Sequence, residues 1–90
     1  MATHKSAKKR IRQSEKRRQR NQNIRSRTRT IIKKLRHVLA SEDTEETKTA
    51  NFRVAERALR QAASKGVIPK RRASRQIGRL ARRLNLSTPS

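Results

Sequence analysis

Apolar positions return at helical spacing in three separate stretches of the chain. In the first, Ile24, Thr28, Ile31, Leu35 and Val38 form one face, with Ile32 and Leu39 beside it. In the second, Phe52, Ala55, Leu59, Ala62 and Ala63 share a face, while Val54 and Ala58 lie off it. In the third, Ala73, Ile77, Leu80 and Leu84 recur at i, i+4, i+7 and i+11. No segment alternates with period two, so no sheet is expected. The pattern predicts an all-α fold: a three-helix bundle in one domain, residues 1–90, with an extended, highly basic N-terminal helix.

Local signals set the expected boundaries at about 5–40, 44–65 and 69–85. Met1 to His4 reads as a mobile lead-in, and Ser6 as a cap for the first helix. Ser41 to Asp43 interrupts the pattern. Asp43, with Glu46 three residues on, resembles a capping box, and Glu45 and Glu46 sit where a helix dipole favours acids. Lys65-Gly66 reads as a helix end, with Gly66 suited to a left-handed position. Val67 and Ile68 would plug the core at the turn, Pro69 fits the first helical position, and Asn85 to Ser90 reads as a frayed tail.

Before Ile24 the pattern changes character. Residues 5–36 carry fifteen cations against one acid, Glu15, with no Gly or Pro to break a helix. From Lys5 to Asn23 the only apolar residues are Ala7 and Ile11, and the cations point all round the axis. Such a helix has no dry side, and like charges at i, i+4 repel. Over the whole chain the net charge is +21, distributed as two basic arms around residues 37–66, where five cations meet five acids. Repulsion at that charge calls for an anionic partner.

Composition narrows the chemistry. Hydrophobic residues make up only 30%, so the core must be small. With no Cys there is neither a disulfide nor a thiolate metal site. No apolar run approaches the roughly 20 residues of a membrane span. His4 and His37 have no carboxylate cluster beside them, and a solvated or phosphate-contacting role accounts for both. Glu42, Asp43, Glu45 and Glu46 lack the glycine and bidentate spacing of a calcium loop. With Gly66 and Gly78 as the only glycines, there is no phosphate-cradling loop. The expectation is therefore no catalytic residue, no metal and no cofactor.

Nucleic acid is the partner this pattern favours. Arginine outnumbers lysine 18 to 9, and guanidinium forks match phosphate geometry. A single Phe, with no Tyr or Trp, argues against base-stacking platforms. Contact should be with phosphate and ribose, reading shape rather than sequence. A basic zipper is disfavoured because the apolar repeat lasts only about two heptads before Ser41. A DNA-compacting or regulatory DNA-binding protein stays open as the alternative.

The order of residues adds more. The runs Lys5-Ser6-Ala7-Lys8-Lys9-Arg10 and Gln13-Ser14-Glu15-Lys16-Arg17-Arg18 stand out, as do Asn21, Arg25-Ser26, Arg29-Thr30 and Ile32-Lys33-Lys34. So does Lys65-Gly66-Val67-Ile68-Pro69-Lys70, followed by Ala73 and Arg75. Together they resemble the bacterial small-subunit ribosomal protein 20 family over nearly the whole chain. Departures fall at Pro69, Arg71, Ile77 and Gly78.

The resemblance implies a three-helix bundle bound directly to small-subunit (16S) ribosomal RNA, in a cytoplasmic ribosome or a plastid one. Other small-subunit proteins would touch it only peripherally, with no membrane and no homo-oligomer. RNA contact carries over by resemblance to Lys5, Lys8, Lys9, Arg10, Lys16, Arg17, Arg18, Arg25, Arg29, Lys33, Lys34, Lys70 and Arg75. Placement alone adds Arg12, Arg20, Arg27, Arg72, Arg79 and Arg82.

One expectation follows directly. The arm before Asn23 should gain helix when a polyanion supplies counter-charge on several sides. Far-ultraviolet circular dichroism of the full chain should show greater ellipticity with RNA than without, and an unchanged spectrum counts against it.

Overall fold

The computed structural model describes residues 4–87. Three helices account for nearly all of them: α1 (His4–Ala40), α2 (Glu45–Ser64) and α3 (Lys70–Ser87). No strand occurs among the described residues. The fold is an all-α three-helix bundle in which α2 is the common partner of α1 and α3, which touch each other only sparingly.

The core is small, as the composition demands. Ile32, Leu35 and Leu39 of α1 meet Ala55 and Leu59 of α2 and Ala73 and Leu80 of α3. Leu35 and Leu59 have no solvent exposure. Phe52, Ile68, Ile77 and Leu84 are half-buried around them. Alanines at 55, 62 and 63 let the neighbours approach α2 closely. Thr28 joins the buried face because its hydroxyl donates to the Ile24 carbonyl at 2.7 Å, which removes the cost of an unpaired polar group.

Only half of α1 takes part. Every residue from His4 to Arg20 is exposed. With 37 residues the helix runs roughly 55 Å at about 1.5 Å per residue. The radius of gyration is 17.9 Å, against about 12 Å for a compact chain of this length. The free half of α1 makes the difference.

Several expected helix ends are corrected. His4 already belongs to α1, so Ser6 lies inside the helix and cannot cap it; the rest of the expected lead-in, residues 1–3, lies outside the described residues. The cap of α2 is Thr44, not Asp43. Thr44 has extended backbone (φ −65°, ψ 154°), and its hydroxyl accepts from the Thr47 N–H at 3.2 Å. Asp43 is engaged one step earlier, accepting from the Ser41 hydroxyl at 2.6 Å. The expected acids, Glu45 and Glu46, do occupy the first turn of α2. Pro69 precedes α3 rather than opening it: its carbonyl accepts from the Ala73 N–H at 3.1 Å, which is the capping position. Asn85 to Ser87 are helical, not frayed; residues 88–90 of the expected tail lie outside the described residues.

The turn between α2 and α3 behaves as Lys65-Gly66 suggested. Gly66 has φ +75°. Its N–H donates to the Ala63 carbonyl at 3.0 Å and that of Val67 to the Ala62 carbonyl at 2.9 Å, the paired bonds of a Schellman ending. Val67 and Ala62 are both buried at this corner.

The two glycines therefore predict opposite effects. A Cβ at either position meets nothing within 4 Å, so only the backbone matters. Gly66→Ala should destabilise by about 1–2 kcal/mol, the cost of left-handed backbone for a residue with a Cβ. Gly78→Ala, inside α3, should stabilise by about 1 kcal/mol. Urea unfolding of both variants checks this; effects of the same sign would contradict it.

Candidate nucleic-acid interface

Every Lys and Arg except Lys48 is exposed. All 27 Lys and Arg residues fall among the described residues. Only one ion pair occurs there, Arg60 with Glu56 at 3.0 Å, an exposed i, i+4 contact. The remaining guanidinium and ammonium groups have no carboxylate partner among the described residues.

The thin contact between α1 and α3 leaves an open groove along the bundle. Its α1 wall carries Arg25, Arg29, Lys33 and Arg36. Its α3 wall carries Arg72, Arg75, Arg79 and Arg83. Ile32, Leu59, Ala62, Val67 and Ile68 form the floor near the turn. Eight cations and no acid line the groove. The helix repeat sets this arrangement. Residues three or four apart lie one above the other about 5.4 Å along the axis, so each wall is a ladder of charge.

A second groove lies between α1 and α2. Ile24, Ile31, Val54 and Ala58 line it, with Arg27, Arg57 and Lys65 among the same residues. Val54 is 53% exposed, which explains why it falls off the apolar stripe of α2. The acids keep away from both grooves. Glu42, Asp43, Glu45 and Glu46 cluster at the α1–α2 turn, at the opposite end of α1 from the free basic arm.

The structure sorts the expected contact residues into groups. Lys5, Lys8, Lys9, Arg10, Arg12, Lys16, Arg17, Arg18 and Arg20 stand exposed on the free half of α1. Arg25, Arg29 and Lys33 share one stretch of the first groove with Arg72, and Arg75 and Arg79 line the adjoining stretch with Arg36. Arg27 lines the second groove. Lys70 sits on the α2/α3 side with Arg60 and Ser74, away from the first groove. Lys34 and Arg82 are exposed and line neither groove.

Four groove residues were not anticipated: Arg36 and Arg83 in the first groove, Arg57 and Lys65 in the second. Arg83 lies four residues beyond Arg79 and Arg36 seven beyond Arg29, so helical spacing alone could have found both. Arg57 and Lys65 were masked by averaging, because they sit in the segment whose total charge is zero.

Other chemistries find no purchase among the described residues. No group of three or more His, Cys, Asp or Glu side chains could hold a metal. No helix is long and apolar enough to cross a membrane.

Fold and surface thus define a small, all-α, polycationic protein with grooves rather than a catalytic centre. Comparison with known proteins makes the class specific. The family model described as ribosomal protein S20 matches residues 2–85. The small ribosomal subunit protein bS20 of Geotalea daltonii is 47% identical over 85 residues, covering 94% of this chain and 97% of that protein. Its counterpart in Geobacillus kaustophilus is 48% identical, covering 94% of each chain. That of Anaeromyxobacter sp. is 46% identical over 82 residues, covering 91% and 89%. The chain belongs to the ribosomal protein S20 family, a family of structural proteins of the small ribosomal subunit and not of enzymes.

Proposed function

We propose that this protein binds small-subunit ribosomal RNA directly and stabilises its fold through phosphate contacts, within the ribosome of a bacterial cytoplasm. One observation carries the reading: eight cations and no acid line a groove between two helices that barely touch. An apolar floor between charged walls suits a sugar–phosphate strand, with ribose towards the floor and phosphates towards the walls. The free half of α1 suits a different setting, since its cations need phosphate all round the axis. It would thread between RNA elements and neutralise charges that hold them apart. The bundle is the anchor and the arm is the cement. Neighbouring proteins of the subunit would touch it only at the edges, and no second copy is required.

Salt dependence tests this. Each lost phosphate contact should make the negative slope of log K against log salt shallower by about 0.9, the value for a B-form duplex. The Arg75→Ala/Arg79→Ala/Arg83→Ala variant should lose affinity and a slope of roughly 2 to 3. Lys8→Ala/Lys9→Ala/Arg10→Ala should act similarly through the arm, with the bundle's melting unchanged. Structured small-subunit RNA should outcompete duplex DNA of equal length at physiological salt. Unchanged slopes in both variants, or a preference for DNA, would overturn the proposal.

A further inference from the structure

Lys48 is the only charged side chain buried among the described residues, with 6% exposure. Its ammonium donates to the carbonyl oxygen of Ser87 at 3.3 Å, which ties the start of α2 to the last described residue of α3. Among the described residues no carboxylate pairs with it, and the single ion pair there lies elsewhere.

The position is chemically specific. A helix favours acids at its N-terminus and cations at its C-terminus. α3 is arranged the other way, with Lys70, Arg71 and Arg72 in its first turn and no basic residue in its last. Its carbonyl end therefore lacks a cation of its own. The Ser87 hydroxyl satisfies the Leu84 carbonyl at 2.8 Å, and Lys48 reaches across from α2 to satisfy that of Ser87. Packing alone does not call for a lysine here, because methionine would fill the same space but could not donate to the Ser87 carbonyl.

The two walls of the α1/α3 groove also repel each other. Four cations stand on each side, and little direct contact between these helices opposes the repulsion. α3 is held by α2, and Lys48 fastens the end farthest from the Gly66 turn.

We infer that Lys48 is a positioning residue for RNA binding: its ammonium clamps the carbonyl end of α3 to α2 and so holds the α3 arginine wall in register with the α1 wall. This rests on the groove's role in RNA binding proposed above. Lys48 touches no RNA itself.

The test is a mutant cycle in the full chain, using a folded small-subunit ribosomal RNA fragment as probe. Lys48→Met keeps the aliphatic stem and removes the charge. It should weaken binding roughly three- to tenfold, while Lys48→Arg, which keeps a cation, stays near the unaltered protein. Lys48→Gln replaces Lys48→Met if the latter melts below the assay temperature. In the Arg75→Ala/Arg79→Ala/Arg83→Ala background the same charge removal should have no further effect, because the wall it positions is gone. Amide hydrogen exchange at residues 84–87 should quicken in Lys48→Met.

A loss of equal size in both backgrounds would show a general effect on folding and overturn the inference. So would unaltered binding by Lys48→Met in a chain whose wall variant does bind weakly; in that case the groove reading survives. A wall variant that binds as well as the unaltered protein removes the groove reading, and the inference with it.

Discussion

Repulsion among like charges sets the terms for this molecule. Among the described residues twenty-seven cations share one internal ion pair, so the fold there does almost nothing to neutralise itself. Opposing the repulsion is a core whose largest fully buried side chains, Leu35 and Leu59, are drawn from two of the three helices. Burying one such side chain contributes about 1.5–3 kcal/mol. The packed half of α1 survives because it has an apolar stripe to bury. The exposed half has none, and its ordering depends on what surrounds it.

The same balance explains the layout of the bundle. α2 is the helix with a mixed charge, and it is the one that both others pack against. The two strongly basic segments are kept apart by it and meet only across an open groove. Had α1 and α3 packed face to face, their arginine ladders would have been brought together without counter-ions in a low-dielectric contact. Separation turns that liability into two walls with room between them. α3, with cations in its first turn and none in its last, is set against its own dipole until an anion reaches its N-terminal end.

Much of this was legible in the residues. The stripes containing Leu35, Leu59 and Leu80 identified helices and core together, because burial and helical period are the same fact seen twice. Gly66 announced its turn, since only glycine enters left-handed backbone without cost. What escaped depended on competition between near neighbours. Asp43 and Thr44 can both cap a helix, and the hydroxyl of Ser41, which occupies Asp43, leaves the role to Thr44. The last described carbonyl of α3, that of Ser87, is met by Lys48, 39 residues away, a contact no local pattern could reveal. For the candidate interface, the sequence supplied the cations but not their grouping. Spacing could place Arg36 and Arg83 on the same faces as Arg29 and Arg79, but which cations face one another is a property of how the helices cross, and Lys70 lies on another side.

Four of the six acids sit together at the α1–α2 turn, while the acid-poor arm extends from the far end of α1. The protein is therefore an electric dipole as well as a cation, with its poles at opposite ends of α1. In the field of a large polyanion such an object feels a torque before it feels a contact. It turns arm-first, with the carboxylates trailing, so a collision begins near the productive orientation instead of searching for it.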